Sequence, residues 1–466
     1  MSHSLRKWQH LCKEAALTHY RTNPHFFCQA TPGSGKTRMA AELAKDLLEQ
    51  DLIDLVLCFA PSRQVVEGFR RTFFGVLGRR MDGLIGAVGA ACTYQGMEYR
   101  DEAFWKLFDD YRVFAIFDEI HHCAGHDALL SNAWGQRIIQ RVQDRAECTL
   151  ALSGTPWRSD QKAIVLARYS TPEGNLICDY QYGLAEAISD QVCRSPRIVI
   201  LDNQMVSLTE ALASDNTVTM FPNIASLLTG SPVSYESLLL HEDVLRQLLV
   251  LGCRKLKEIR EVKADAGGLV VATNIEHAHQ IAAMLLHEGE ICEVVTNKTP
   301  NAQQVIDDFR RSSSPWIVAV GMISEGTDIP RLQVCCHLSR IRTELYYRQV
   351  LGRILRRSVN VNHDPEAWLY VLAEPSLQQF SERVADDLPD DHAVIGLVHG
   401  VSSPIDSSSA NVRDEGLGTG LYAPLGLRHS DDDGQKTSGQ INDYKMGPGY
   451  QLSFSQHYRT QLLRIC

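Results

Sequence analysis

The 466-residue sequence contains no CxxC pair, no apolar run of the ~20 residues that a membrane span needs, and no excess of basic charge. Each absence removes a class of protein. The thirteen cysteines are scattered, several inside apolar runs such as VLCFA (56–60) and VCCHL (334–338), so they read as reduced core residues rather than disulfides or zinc ligands. With no spanning segment and no basic-then-apolar start, the chain is expected in the cytoplasm and away from membranes. The formal net charge of −10 excludes a protein that coats nucleic acid by overall attraction. A local basic cleft remains open to it, because remote charges are screened over ~8 Å at physiological salt.

The composition, 44% hydrophobic and 22% charged, is that of an ordinary globular protein. Its length exceeds the ~250–300 residues at which a single core stops growing, so two domains are expected. From His25 to Ala373, short β-rich apolar runs alternate with longer amphipathic segments, the pattern of parallel βαβ units. The strand candidates of the first half are HFFCQA, DLVLCFA, IGAVGAACT, RVFAIFDE and CTLALSG. Those of the second are GGLVVAT, ICEVVT, PWIVAVG, QVCCHLS and AWLYVLA. The fold class is therefore α/β, with two sheets that are mainly parallel. Residues 1–195 form the first domain, 196–235 a linker of irregular structure, and 236–398 the second domain, opened by a long helix. Residues 399–466 are Ser/Gly/Asp-rich and read as a poorly structured tail, although the closing YQLSFSQHYRTQLLRIC is apolar enough to dock.

ATPGSGKT (30–37) fits the phosphate-binding pattern GxxxxGK[ST], except that Ala30 stands at the first glycine. It follows the strand HFFCQA and precedes RMAAELAKDLLEQ, which is helical in pattern, so the strand, loop and helix that the motif requires are all present. Gly33 and Gly35 let the loop turn its N–H groups towards phosphate oxygens, beside a helix N-terminus. Lys36 reaches the β/γ-phosphates, and Thr37 supplies a hydroxyl for Mg²⁺. VFAIFDEIHH places Asp118 and Glu119 at the end of an apolar strand, the edge at which α/β sheets bind ligands. Asp118 is expected to hold the metal, and Glu119 to align and activate water. Hydrolysis of a nucleotide, with ATP and Mg²⁺ bound, follows as the expected chemistry. The cluster His121, His122, Cys123 and His126 also invites a metal reading.

Together with several segments nearer the C-terminus, these motifs resemble the superfamily two helicases, specifically the DExH-type group related to restriction-enzyme translocase subunits. DEIH (118–121) matches the motif that names the group and accounts for His121 without a metal. SGTPWR (153–158), GMISEGTDIP (321–330) and QVLGRILR (349–356) are similar to the third, fifth and sixth motifs. LRKWQ resembles the adenine-sensing segment, FAPSRQVV the next motif, and CTYQ a strand-contacting one. The resemblance runs in the family's order from residue 5 to about 375. It implies two RecA-like domains facing each other across a cleft. Gln9, Pro32, Gly33, Ser34, Gly35, Lys36, Thr37, Gly326 and Asp328 would bind the nucleotide. Gln349, Arg353 and Arg356 would complete catalysis from the second domain. His121, Ser153 and Thr155 would couple hydrolysis to the nucleic-acid site, with Gln349 and His121 as the link, and Arg63, Thr93 and Ser324 would contact nucleic acid. The expected partner is nucleic acid, DNA favoured over RNA, read through its phosphates rather than its bases. No nuclease motif is visible, so cleavage would fall to a protein partner.

Overall fold

The computed structural model describes residues 4–124, 132–155, 162–171, 174–211, 216–321, 328–357, 366–386, 393–398 and 450–465. All ten strand candidates form strands. The first half supplies β1 (His25–Ala30), β2 (Leu55–Ala60), β3 (Gly89–Thr93), β4 (Val113–Asp118) and β5 (Cys148–Ser153). A short ribbon of β6 (Arg168–Tyr169) and β7 (Leu176–Ile177) then leads to β8 (Tyr180–Tyr182). The sheet runs β3-β2-β4-β5-β1-β8, parallel throughout. Every residue of β4 and β5 is buried, as a parallel sheet covered on both faces demands. Alternation divides their side chains between two cores. Phe114 and Ile116 join Phe26 and Cys28 on one face; Ala115 and Phe117 join Phe59 and Trp105 on the other.

The second half builds on β9 (Ser195–Asn203). After it come β10 (Val206–Ala211), β11 (Asn216–Phe221), β12 (Gly267–Val271), β13 (Cys292–Val295), β14 (Trp316–Ala319), β15 (Leu332–His337) and β16 (Glu366–Leu372). The series ends with β17 (Ala393–Val398), β18 (Tyr450–Phe454) and β19 (Tyr458–Ile465). The large sheet has the order β13-β14-β12-β15-β16-β9-β19-β17, parallel from β13 to β9, with β19 and β17 antiparallel at the edge. The long helix expected to open this half is Glu242–Val262, with His241 capping it through a bond accepted from Asp243 N.

Two segments depart from the sequence-based expectation. The stretch expected to begin the linker is instead β9, whose RIVIL run is paired on one side by β16 and on the other by β19. Pro196 and the Asp202–Asn203 pair give it the punctuation of a linker, but its partners lie more than 160 residues away in sequence. Residues 450–465, assigned to the poorly structured tail although apolar enough to dock, form two strands. β18 adds to a small antiparallel sheet with β10 and β11, and β19 covers the exposed edge of β9. Residues 399–449 lie outside the described part. One buried apolar cluster runs from Trp8 and Tyr182 through Val192 and Cys193 to Ile198 and on into the second sheet, so the two lobes share packing where the chain crosses.

Candidate active site

β1 delivers the phosphate loop and β4 delivers the acids, with β5 between them. Gly33 (φ +81°) and Gly35 (φ +94°) adopt the left-handed backbone that only glycine takes at low cost. The helix Lys36–Glu49 starts directly after Gly35, aiming its N-terminus into the loop. Ala30, in place of the usual glycine, is the buried last residue of β1 and is not among the positive-φ positions. Glycine's freedom is therefore not needed there. Its carbonyl accepts a hydrogen bond from Lys36 Nζ at 3.0 Å, and Nζ stands 3.5 Å from Glu119 Oε1.

Glu119 follows β4 in a left-handed conformation (φ +49°), rare for a residue with a side chain and characteristic of functional turns. That turn lets its Oε2 accept from Gly154 N at 3.2 Å, just beyond β5. His121 is fully buried. Its Nδ1 pairs with Ser153 Oγ at 2.9 Å and lies 3.5 Å from Glu119 Oε2, while Thr155 N donates to the same Ser153 Oγ. Asp118, Glu119, His121, Ser153 and Thr155 thus form one connected group. Burial, reinforced by the neighbouring Glu119, pushes the Asp118 carboxyl well above the usual carboxylate range. Burial would raise Glu119 too, but the Lys36 ammonium and then His121 outweigh it and hold Glu119 low. Two adjacent carboxyls pushed apart in this way suit an ionised base next to a group that wants a cation. Asp118 Oδ1 and Ser34 Oγ are buried with no hydrogen-bond partner among the described residues. A metal-bound nucleotide would satisfy such atoms, so the residues present fit ATP with Mg²⁺.

The second lobe reaches the same place. A cavity of about 600 Å³ is lined from one side by Pro32, Gly33, Gly35, Lys36, Thr37, Asp118 and Glu119, and from the other by Asp328, Gln349, Arg353 and Arg356. Its volume is that of a small-molecule site, ~300–1,000 Å³. The approach of the lobes is close: a methyl group placed on Gly33 would lie 2.9 Å from Arg356 Cγ. Arg356 Nη1 donates to Asp328 Oδ1 at 2.7 Å. Burial tends to raise Asp328, but Arg356 first, then Arg310 and Arg353, hold it below the usual range. The helix Glu344–Ile354 ends between the two arginines, and Arg356 instead pairs with Cys193 as an antiparallel bridge.

Gln9 sits beneath the loop rather than on the cavity wall. Its amide donates to Gly35 O at 2.9 Å and its carbonyl accepts from Arg6 N at 2.9 Å. Arg6, within LRKWQ but given no role by the sequence, lines the cavity and donates to Ser34 O at 2.6 Å. Gln64, within FAPSRQVV, and Thr72, outside every motif, line it as well from the helix Arg63–Leu77. Arg63 begins that helix and is exposed to solvent. The Thr93 hydroxyl accepts from Gly96 N at 3.0 Å and caps the next turn. Neither Arg63 nor Thr93 is part of the cavity. Ser324, Gly326, Arg158 and His126 lie outside the described residues.

Two family models match. Residues 2–158 match that of the type III restriction enzyme res subunit, and residues 251–358 that of the helicase conserved C-terminal domain. The chain is 27% identical to the uncharacterised protein ML1624 of Mycobacterium leprae (strain TN) over 82% of its own length and 64% of that protein's. It is likewise 27% identical to the uncharacterised protein Rv2917 of Mycobacterium tuberculosis (strain H37Rv), over 87% and 67%. The chain therefore spans about two thirds of the curated relatives that it matches. Among solved structures, the fragment of a putative HsdR subunit of a type I restriction enzyme from Vibrio vulnificus YJ016 is similar with a TM-score of 0.57 and 14% identity, over 84% of this chain and 68% of that one. The ATP-dependent type ISP restriction-modification enzyme LlaBIII, bound to DNA, is similar with a TM-score of 0.54 and 14% identity, over 83% and 30%. These likenesses establish the fold, two RecA-like lobes. With both family models falling on the lobes that share the cavity, and in the expected order, the chain belongs to the superfamily two helicases related to the helicase subunits of restriction enzymes.

Proposed function

We propose that the protein is an ATP-dependent motor that moves along or separates nucleic-acid strands, acting on DNA. One observation carries the reading: Lys36 of the first lobe and Arg353 and Arg356 of the second line a single cavity. A triphosphate gripped at Lys36 is then hydrolysed only when the other lobe's guanidinium groups stand against it, so turnover and lobe position are linked. An arginine supplied across such a cleft contributes ~10³–10⁵ in rate.

Each residue has a distinct part in the reaction. Backbone N–H groups of the loop from Pro32 to Gly35 and the ammonium of Lys36 hold the phosphate oxygens. The Thr37 hydroxyl and the Asp118 carboxylate would hold Mg²⁺, which would supply neutralising charge to the phosphates. Glu119, kept ionised by Lys36 and His121, accepts the proton of the attacking water. Arg353 and Arg356 stabilise the charge that develops as the terminal phosphoryl group leaves. The chain His121–Ser153–Thr155 connects Glu119 to the loop beyond β5, a route by which nucleic acid bound nearby would bias the base. The DNA preference rests on the restriction-enzyme kinship, and cleavage would belong to a protein partner such as a nuclease.

Steady-state ATP turnover with single-stranded DNA, double-stranded DNA and RNA tests the reading. DNA is expected to stimulate turnover most, Lys36→Ala to abolish it, and Glu119→Gln to bind ATP yet stall. Stimulation by RNA alone would make the protein an RNA-remodelling ATPase. DNA binding without any stimulated turnover would make it a nucleotide-gated scaffold and end the motor proposal.

A further inference from the structure

Arg194 belongs to none of the family-like motifs, yet it is completely buried at the point where the chain crosses from the first lobe into β9. Its guanidinium spans two segments of the active site. Nη1 donates to Leu332 O and Ile354 O, each at 2.8 Å, and also to Arg356 O; Nη2 donates to Pro330 O at 2.8 Å. Its backbone N–H donates to Leu355 O at 2.8 Å, and the preceding Cys193 bridges Arg356 and lies 3.6 Å from Pro32 O.

The chemistry of these acceptors is specific. The carbonyl of Ile354 belongs to the C-terminal end of the helix that carries Arg353, where carbonyls lack helical partners and a cation is favoured, and that of Arg356 lies two residues beyond it. Pro330 stands two residues after Asp328, the acceptor of Arg356. A planar fork with five fixed donors can serve several main-chain carbonyls at once, whereas the flexible ammonium of lysine cannot reproduce that array. The same residue therefore terminates the helix, fixes the start of β15 and fastens both to the crossing segment, which touches the phosphate loop through Cys193.

We propose that Arg194 is a positioning residue for ATP hydrolysis: from the inter-lobe crossing it holds the Arg353–Arg356 turn and the Asp328–Pro330 segment in one arrangement, so that both arginines face the phosphate loop. This rests on the hydrolytic reading of the cavity. Arg194 touches no nucleotide itself and acts only through the two arginines.

The test is Arg194→Gln, with Arg194→Lys as a second variant, each alone and combined with Arg356→Ala. Turnover is normalised to the stoichiometry of binding of a fluorescent ATP analogue. Arg194→Gln is expected to bind the analogue at full stoichiometry with affinity changed less than about threefold, while kcat falls roughly 10²-fold, the cost of misplacing a reacting group by about 1 Å. Arg194→Lys should lose most of that too. The combined variant should be slower than Arg356→Ala alone by clearly less than the full Arg194→Gln factor, because the two changes share the contribution of Arg356 and only that of Arg353 remains to be misplaced. Wild-type turnover in Arg194→Gln would overturn the proposal. So would losses that multiply in the combined variant, or a fall in binding stoichiometry that matches the fall in rate, since either marks a role in folding only. If Arg194→Gln does not fold, the same comparison with Arg194→Lys decides. Wild-type protein that never hydrolyses ATP would refute the proposed function itself, an outcome distinct from all of these.

Discussion

Gly352 offers a direct test of whether lobe contact controls turnover. It lies in the middle of QVLGRILR, one residue before Arg353, on the helix Glu344–Ile354. A methyl group built there would meet Pro32 Cβ at 2.8 Å and Pro32 Cγ at 3.0 Å. Carbon atoms pack best at about 3.5–4.0 Å, and a proline ring in the phosphate loop has no flexible end to swing aside, so Gly352→Ala must open the cleft by roughly 1 Å. A displacement of that size at the reacting groups costs ~10² in rate. Folding pulls in the opposite direction. Alanine within a helix is more stable than glycine by roughly 0.5–1 kcal/mol, so the isolated helix gains from the change. The expected outcome is therefore a variant that melts no earlier than wild type, still binds ATP through the first lobe, and turns over about a hundredfold more slowly in the presence of DNA. Stopped-turnover and binding measurements on the same preparation check it. Wild-type kcat in Gly352→Ala would refute the argument that contact between Pro32 and the sixth-motif helix sets the catalytic geometry.

Acid should destabilise the second lobe through two buried histidines, His277 and His337, whose pKa values burial pushes down to about 4. The unfolded chain takes up these protons near pH 6.5 and the folded chain does not, so stability is intact above that pH and falls as pH drops from about 6.5 to 4, by roughly 3 kcal/mol for each histidine. Denaturant midpoints across that range should show His337→Leu with a shallower pH slope than wild type; an identical slope would remove His337 from the account. Removing residues 450–466 deletes β18 and β19, leaving the β9 edge uncovered, and the truncated chain should lose cooperative melting of the second lobe and self-associate, as light scattering would report. Trp8, buried and stacked on Tyr182 with ring centroids 4.8 Å apart, holds the first helix against β8; Trp8→Ala should lower stability by roughly 3–5 kcal/mol, read by thermal melting with and without ATP.

The parts of the site that were legible in the sequence share a physical property: their chemistry is local in the chain. A phosphate loop must place its glycines, lysine and hydroxyl within eight residues, between a strand and a helix, and ATPGSGKT does so. The acids had to end a buried strand, and VFAIFDE announces one by an unbroken apolar run. β9 was not legible because its stability comes from partners at both ends of the second half. RIVIL alone, between proline and an Asp–Asn pair, has too little local preference to overrule its punctuation. β19 sits alone beyond a Ser/Gly/Asp-rich stretch and has no meaning until β9 offers it an edge. Arg6 and Arg194 were hidden for the same reason. Both donate chiefly to main-chain carbonyls, and a carbonyl acceptor leaves no mark on residue identity.

The two lobes are joined in the same manner. Lys36, Asp118, Glu119, Arg353 and Arg356 line the cavity, whereas the residues that hold their segments in place do so through the backbone, from the crossing segment and the first helix. Arg6 and Gln9 fasten Ser34 and Gly35 from one side; Cys193 and Arg194 fasten Arg356 and its neighbours from the other. Each half of the site is thus held through its main chain by another segment, and the Cys193–Pro32 contact brings the crossing segment against the phosphate loop. A rotation of the lobes that carried Arg356 away from Gly33 would have to break the Cys193 bridge or carry Cys193 off Pro32. The crossing segment therefore limits how far the lobes can part, and the rate at which fluorescent ATP enters should rise when Cys193→Gly loosens that contact.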